Sequence, residues 1–309
     1  MRVLVTGSSG RVGRAVTVRL VLDGHDVVGL DRSPSSTADL VGDVGDKALL
    51  QRALEGVDAV VHTAALHAPH VGLVDESLFR QVNVEATVAL ARLMVERGVD
   101  RLVFTSTTAL FGHAATPPGR AGWVDESVEP RPRTVYHRTK LAAESALETL
   151  SYREGLDVTV LRMSRCFPEP APVMAAYRLH RGIDARDVAA AHALALESSP
   201  QGFRRYVISG ATPFVRDDAT ELLHDAPGVL ARRAPTLVEA FARRGWPLPQ
   251  SIDRVYSPAV ASQRLGWQPR CGFEEVLRML DAESSEVLPP GRHDRGPEVT
   301  SGPTTKERA

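Results

Sequence analysis

The chain predicts a doubly wound α/β fold, and three observations carry that prediction. Short β-branched runs alternate with longer segments of helical period over the first half of the chain; the runs read apolar throughout; and a glycine-rich turn joins the first run to the first helical segment. Strands without an alternating polar face belong to a parallel sheet covered by helices on both sides. A glycine turn between strand and helix lets the backbone approach a bound group closely.

Taken in order, Arg2 to Thr6, Asp26 to Leu30, Ala59 to His62, Arg101 to Thr105 and Val158 to Leu161 read as strands. Helical patterns near residues 11–23, 46–54, 75–97 and 134–154 fill the intervals. The turn-rich stretch His113 to Arg133 holds four prolines and predicts a long ordered loop rather than an element. Beyond Met163 the pattern loosens: a helix near 186–197, a strand near 204–209, helices near 217–224 and 236–244, and a last helix near 273–282. From Ser284 onward Pro, Gly, Ser, Thr and charge predominate, too polar to bury a core, which predicts a disordered tail. There is no internal repeat.

Composition excludes several classes of function. A net charge of -1, with both signs interspersed, gives no footprint for nucleic acid or for an anionic membrane. No apolar run approaches the roughly 18 residues of a membrane span, and the chain opens on Arg2-Val3-Leu4-Val5 without the pattern of a signal peptide, so a cytoplasmic protein acting on a small molecule is expected. Cys166 and Cys271 are too few for a disulfide framework or a zinc site. His67, His70 and His113 show no metal-ligand spacing, and no metal is expected.

The turn Thr6-Gly7-Ser8-Ser9-Gly10-Arg11-Val12-Gly13 follows the first strand at once and opens the first helix. Gly7 permits the tight turn, Gly10 lets the backbone meet a pyrophosphate at the helix N-terminus, and Gly13 lets the helix pack against the sheet. Asp31, at the end of the second strand, is placed to accept hydrogen bonds from an adenine ribose diol and to repel a 2'-phosphate, so NAD is favoured over NADP. Arg32 beside it would tolerate that phosphate and is the feature pointing the other way.

Tyr136 and Lys140 form the second constellation. The chain has only three lysines among 37 basic residues, and this one lies four residues after a tyrosine in a helical segment. Residues i and i+4 share a helix face, so phenol and ammonium reach the same small molecule. Lowering a phenol from a pKa near 10 to neutrality takes about 4 kcal/mol, roughly what a cation about 4 Å away supplies at an effective dielectric near 20. The expectation is a tyrosine activated by its lysine as a proton-transfer group.

These motifs, with Gly42-Asp43-Val44 after the third strand, His62-Thr63-Ala64-Ala65 after the fourth, Asn83-Val84, Ser106-Thr107 ahead of Leu110-Phe111-Gly112, and Tyr136-His137-Arg138-Thr139-Lys140, resemble the extended short-chain dehydrogenase/reductase superfamily in its NAD-dependent epimerase/dehydratase branch. The resemblance runs from residue 1 to about 165, and resumes at Arg186-Asp187-Val188-Ala189 and at Leu265-Gly266-Trp267-Gln268-Pro269. It implies a Rossmann-type doubly wound parallel sheet with a small C-terminal substrate-binding lobe. The expected division is an NAD-binding domain over 1–165 to which 186–210 return, a lobe of 166–185 and 211–283, and a tail of 284–309. Ser9, Arg11, Val12, Asp43, Val44, Ala64, Ala65 and Asn83 are thereby expected at the cofactor, and Thr107 beside Tyr136 and Lys140 in the catalytic group. A homodimer through the helices near 75–97 and 134–154 is also implied.

The branch is harder to assign. In the resembling sugar-nucleotide dehydratases an Asp and a Glu follow the threonine; here Thr108 and Ala109 stand there, which argues against elimination. The stretch Arg162 to Pro170, then Tyr177-Arg178, resembles uronate dehydrogenases, although the Leu-Phe-Gly sequence does not. Residues 160–250 hold twelve arginines against nine carboxylates and no lysine, so Arg165, Arg178 or Arg181 is a candidate clamp for a carboxylate or phosphate. His67, Thr107, Thr108, Arg165 and Arg178 are the expected substrate contacts. A sugar or nucleotide-sugar epimerase is the first reading, a dehydrogenase of a sugar acid or other small alcohol the second, and a non-catalytic NAD-binding sensor the third.

Overall fold

The computed structural model describes residues 1–198 and 202–291. Its central sheet is built from β1 (Arg2–Thr6), β2 (Asp26–Asp31), β3 (Leu40–Val41), β4 (Ala59–His62), β5 (Arg101–Thr107), β7 (Asp157–Met163) and β8 (Phe203–Ile208) in the order β3-β2-β1-β4-β5-β7-β8. Every pairing in it is parallel. The expected doubly wound sheet is therefore present. Val3, Leu4 and Val5 are wholly buried, as strands covered on both faces must be.

One face carries α2 (Lys47–Ala53), α4 (Ala86–Arg97) and α5 (Val135–Glu154), packed on Leu4, Val60, Phe104 and Val160, while α3 (Glu76–Arg80) sets Phe79 against Leu66 and Val135. The other carries α1 (Arg11–Leu22), α7 (Ala185–Glu197) and α11 (Ala259–Leu265), packed on Val3, Val5, Val61 and Leu161. Local chemistry sets the helix ends. Asp46, Thr134 and Asp184 accept backbone N–H groups at the starts of α2, α5 and α7, and Gly98 and Gly155 end α4 and α5 in the left-handed conformation. The single helix expected over 75–97 is instead α3 and α4 joined by a π-helical turn at Gln81–Glu85, which carries the buried Asn83.

A second core lies among α6 (Ala171–Arg178), α8 (Ala219–His224), α9 (Ala226–Arg233), α10 (Pro235–Arg243) and α12 (Phe273–Asp281). Two expectations change here. The stretch His113 to Arg133 contains a strand, β6 (Gly122–Val124), paired in parallel with β9 (Arg254–Tyr256). Such three-residue strands leave no periodicity to read. The chain after Ser284 is also not uniformly outside the fold: Val287 is buried in the second core, and Leu288 exchanges backbone hydrogen bonds with Glu169 and Ala171. The remainder of the expected tail, 292–309, lies outside the described residues. No helix among the described residues is long and apolar enough to cross a membrane.

Candidate active site

The strand order reverses between β1 and β4, and a cleft opens there at the carboxyl ends of β1, β4 and β5. Its volume is about 470 Å³, and it runs from Asp31 and Asp43 past the glycine turn to Tyr136, Arg165 and Arg254. At one end the backbone is packed too closely for side chains. A Cβ on Gly7 would sit 2.6 Å from the Ala64 nitrogen, and one on Gly13 would sit 2.0 Å from the Gly7 carbonyl oxygen. Gly7 also has φ of 73°, which other residues rarely adopt. The turn is held by Asp31, whose carboxylate accepts the Ser9 N–H at 3.0 Å and the Ser33 N–H at 2.8 Å.

At the other end Thr107, Tyr136 and Lys140 come together from β5 and α5. Thr107 stands beside the phenol of Tyr136 in the cleft lining. Lys140 donates to the Thr105 carbonyl at 2.7 Å and lies 3.9 Å from the centroid of the Phe104 ring. Burial pushes Tyr136 up to about 12, and the neighbouring Thr107 hydroxyl works in the opposite direction. Burial likewise pulls Lys140 down to about 7, with the Glu144 carboxylate working in the opposite direction. Burial thus works against the lowering of the phenol expected from its lysine.

Of the expected residues, Gly7, Gly10, Arg11, Val12, Gly13, Asp31, Arg32, Asp43, Val44, Ala64, Ala65, His67, Thr107, Thr108, Tyr136, Lys140 and Arg165 line the cleft. Ser9 and Asn83 stand behind it. Asn83 accepts from the Leu66 N–H at 2.8 Å and donates to the Leu66 carbonyl at 2.9 Å, holding the loop segment that follows β4. Ser106 turns its hydroxyl away from Thr107, toward Glu144. Arg178 does not reach the cleft. Its side chain is 2% exposed and ion-paired at 2.9 Å with Asp184, so it bolts α6 to the start of α7 instead of meeting a substrate.

Arg181, Arg254, Tyr256 and Phe167 also line the cleft. Arg181 bonds the Tyr177 hydroxyl, sits over that ring and approaches Asp253 at 3.5 Å, while Arg254 takes both oxygens of the same Asp253. Phe167 stacks on His67 at 5.8 Å and lies under the Arg165 guanidinium. Arg254 and Tyr256 arrive only through the β6–β9 pairing, and nothing local in the sequence marks them. No cluster of His, Cys, Asp and Glu among the described residues is placed to hold a metal ion.

A parallel doubly wound sheet with a glycine-lined cleft at its switch point and a Tyr-Lys pair beyond it defines a dinucleotide-dependent oxidoreductase class of site. Residues 3–171 match the sequence model of the NAD dependent epimerase/dehydratase family, and the chain belongs to that family, within the extended short-chain dehydrogenases/reductases. An uncharacterized protein of Sinorhizobium fredii is 34% identical over 165 residues, 52% of this chain but 39% of that protein, so the chain spans well under half of that relative. The L-arabinose 1-dehydrogenase (NAD(P)(+)) of Haloferax volcanii is 32% identical over 67% of this chain and 82% of its own. The Thermus thermophilus UDP-glucose 4-epimerase in complex with NAD superposes with a TM-score of 0.67 at 26% identity, covering 90% of this chain and 97% of that one.

The residues present fit the dinucleotide that the family implies. The close approaches at Gly7 and Gly13 leave the α1 N-terminus bare, where backbone N–H groups favour a pyrophosphate. Asp31 stands at the end of β2 facing the same cleft.

Proposed function

We propose that the protein is an NAD-dependent oxidoreductase acting on a secondary hydroxyl or keto group of a sugar-type substrate. The observation that carries this reading is the convergence of Thr107, Tyr136 and Lys140 at one end of a continuous cleft whose other end is the glycine turn and Asp31. When bound, NAD supplies a hydride acceptor that can also return the hydride. The backbone at Gly10, Arg11 and Val12 would hold its pyrophosphate, Asp31 its adenosine ribose, and Lys140 its second ribose. Tyr136 as the phenol donates its proton to a carbonyl oxygen on reduction, and as the phenolate it takes that proton back from the hydroxyl on oxidation. Thr107 shares that oxygen and keeps the phenol oriented. Arg165, Arg181 and Arg254 suit a substrate carrying a carboxylate or phosphate.

Within this reading, epimerisation is favoured by the likeness to UDP-glucose 4-epimerases over most of the chain, including that of Corynebacterium glutamicum at 26% identity over 87% of this chain. Net oxidation is the second reading, favoured by the higher identity to the Haloferax dehydrogenase. Incubation with free sugars, sugar acids and nucleotide sugars while NADH absorbance is followed separates them. Interconversion of epimers without NADH accumulation supports the first, steady NADH accumulation the second, and no turnover of any secondary alcohol or ketone defeats both. A homodimer formed through α4 and α5 belongs to the same reading, and a monomeric sedimentation coefficient would exclude it.

A further inference from the structure

Behind Lys140 lies a charged cluster that takes no direct part in the chemistry above. Glu144, one turn further along α5, is wholly buried. Its carboxylate accepts the Ser106 hydroxyl at 2.5 Å, Arg162 Nη2 at 2.7 Å and Arg162 Nε at 3.2 Å, with Arg205 Nε at 3.5 Å. Ser106 immediately precedes Thr107 on β5. Arg162, itself 4% exposed, lies on β7 three residues before Arg165, and its guanidinium also faces the Phe111 ring at 5.2 Å. One carboxylate therefore joins the helix that carries Tyr136 and Lys140 to the strands that lead to Thr107 and Arg165.

We propose that Glu144 is a positioning residue of the active site: its carboxylate, one helical turn from Lys140, offsets the charge of that side chain, and its bonds to Ser106 and Arg162 hold the Thr107 strand end in register with α5. The inference rests on the assignment of Lys140 to the cofactor and substrate end of the cleft. An ammonium taken out of water loses its charge unless a carboxylate stands near it. The groups around Lys140 leave Glu144 alone in that role. From β4, His62 faces it as a neutral ring, since burial and Lys140 itself pull that imidazole down to about 3. From β5 come the Thr105 carbonyl and the Phe104 ring, which have no charge to offer. Tyr136 on α5 is a neutral phenol. Arg162 and Arg205, behind Glu144 on β7 and β8, are cations that oppose it.

This arrangement makes predictions of opposite sign. Glu144→Gln preserves shape but removes the negative charge and leaves Arg162 unopposed, so the Lys140 ammonium should titrate lower by about one pH unit or more. Arg162→Met leaves Glu144 facing Lys140 with less competition, so Lys140 should titrate higher. Glu144→Asp should restore most of the original midpoint. Because the chain has three lysines, Lys47, Lys140 and Lys306, protein labelled at lysine Cε gives few NMR signals, and Lys140→Arg identifies the relevant one.

The titration of that signal is compared in the four proteins, alongside the alkaline limb of the kcat profile. Midpoints that move down in Glu144→Gln and up in Arg162→Met, with the kcat limb following, support the proposal. Midpoints that stay in place, or move the same way in both folded variants, overturn it. Should Glu144→Gln not fold, the upward shift in Arg162→Met still decides. The NMR readout needs no substrate, so a chain without turnover would defeat the functional reading while this test still returned its own answer.

Discussion

Tyr136 stands four residues before Lys140 on α5, with Thr107 beside it at the same end of the cleft. Its partner Lys140 is recognisable from a four-residue spacing alone, because a helix puts both on one face. The direction of the phenol's shift is not, because desolvation depends on what closes over the ring. Tyr136→Phe is expected to lower turnover by about 10²–10⁴-fold while NAD binding, followed by fluorescence titration, stays within a factor of about two. Asp31 makes a second residue-scale case. Its carboxylate both faces the cleft and fastens Ser9 and Ser33, so Asp31→Ala should weaken NAD about tenfold or more and narrow the preference against NADP; equal loss for both dinucleotides would contradict the ribose assignment. Arg178 shows the reverse situation. In the sequence it is one arginine among many in a basic stretch, and only the position of Asp184 across a turn shows that its charge is already spent inside the protein.

At the scale of elements, the glycine turn between β1 and α1 separates two roles that the motif alone runs together. A methyl group on Gly13 meets the Gly7 carbonyl at 2.0 Å, whereas on Gly10 it meets the same atom at 3.3 Å. Gly13→Ala should therefore cost about 2–4 kcal/mol in urea unfolding, and Gly10→Ala should leave the unfolding midpoint nearly in place while weakening NAD. Similar losses of stability in both variants would refute the division. The longer Rossmann strands and their helices were readable because predominantly apolar runs of four to seven residues between turn signals have few alternatives. The shorter pieces of the second core were not, since β6 and β9 form only by finding each other across more than a hundred residues. The segment after α12 was misread for a related reason: its composition is polar, yet one side chain, Val287, and one backbone pairing, at Leu288, anchor it. Val287→Asp should make the segment 283–291 susceptible to limited proteolysis under conditions where that segment resists in the native chain, and unchanged cleavage within it would show the anchor to be dispensable.

Over the whole molecule, three buried histidines tie stability to acidity. His62 and His180 are pulled down to about 3 and His192 to about 4, each chiefly by burial. Their folded values lie below the unfolded value of 6.5, so the unfolded chain binds more protons across that interval. Their contribution is complete above about pH 6.5 and is lost as pH falls toward 3–4, at up to about 1.4 kcal/mol per pH unit for each. Urea midpoints measured near neutrality and near pH 5 should fall steeply between the two, and a flat profile would mean that the rings stay accessible to water. His62 links this behaviour to the site, since it bonds Thr6 below the glycine turn and Thr87 on α4 while facing Lys140.

The amino-acid sequence by itself determined the parallel sheet, the glycine turn, the acidic end of β2 and the Tyr-Lys pair, because each depends on contacts between residues close in the chain or on a periodicity that burial imposes. It also fixed in advance where Arg186-Asp187 and Leu265 to Pro269 belong as motifs, though not that they meet: the Asp187 carboxylate accepts the Arg270 and Cys271 N–H groups, and its carbonyl takes the Trp267 indole. Only the tertiary structure decided which arginines face the cleft, that burial raises the phenol, and that Glu144 stands behind Lys140. Those properties depend on distance and on exclusion of water, and both arise from segments brought together across the fold.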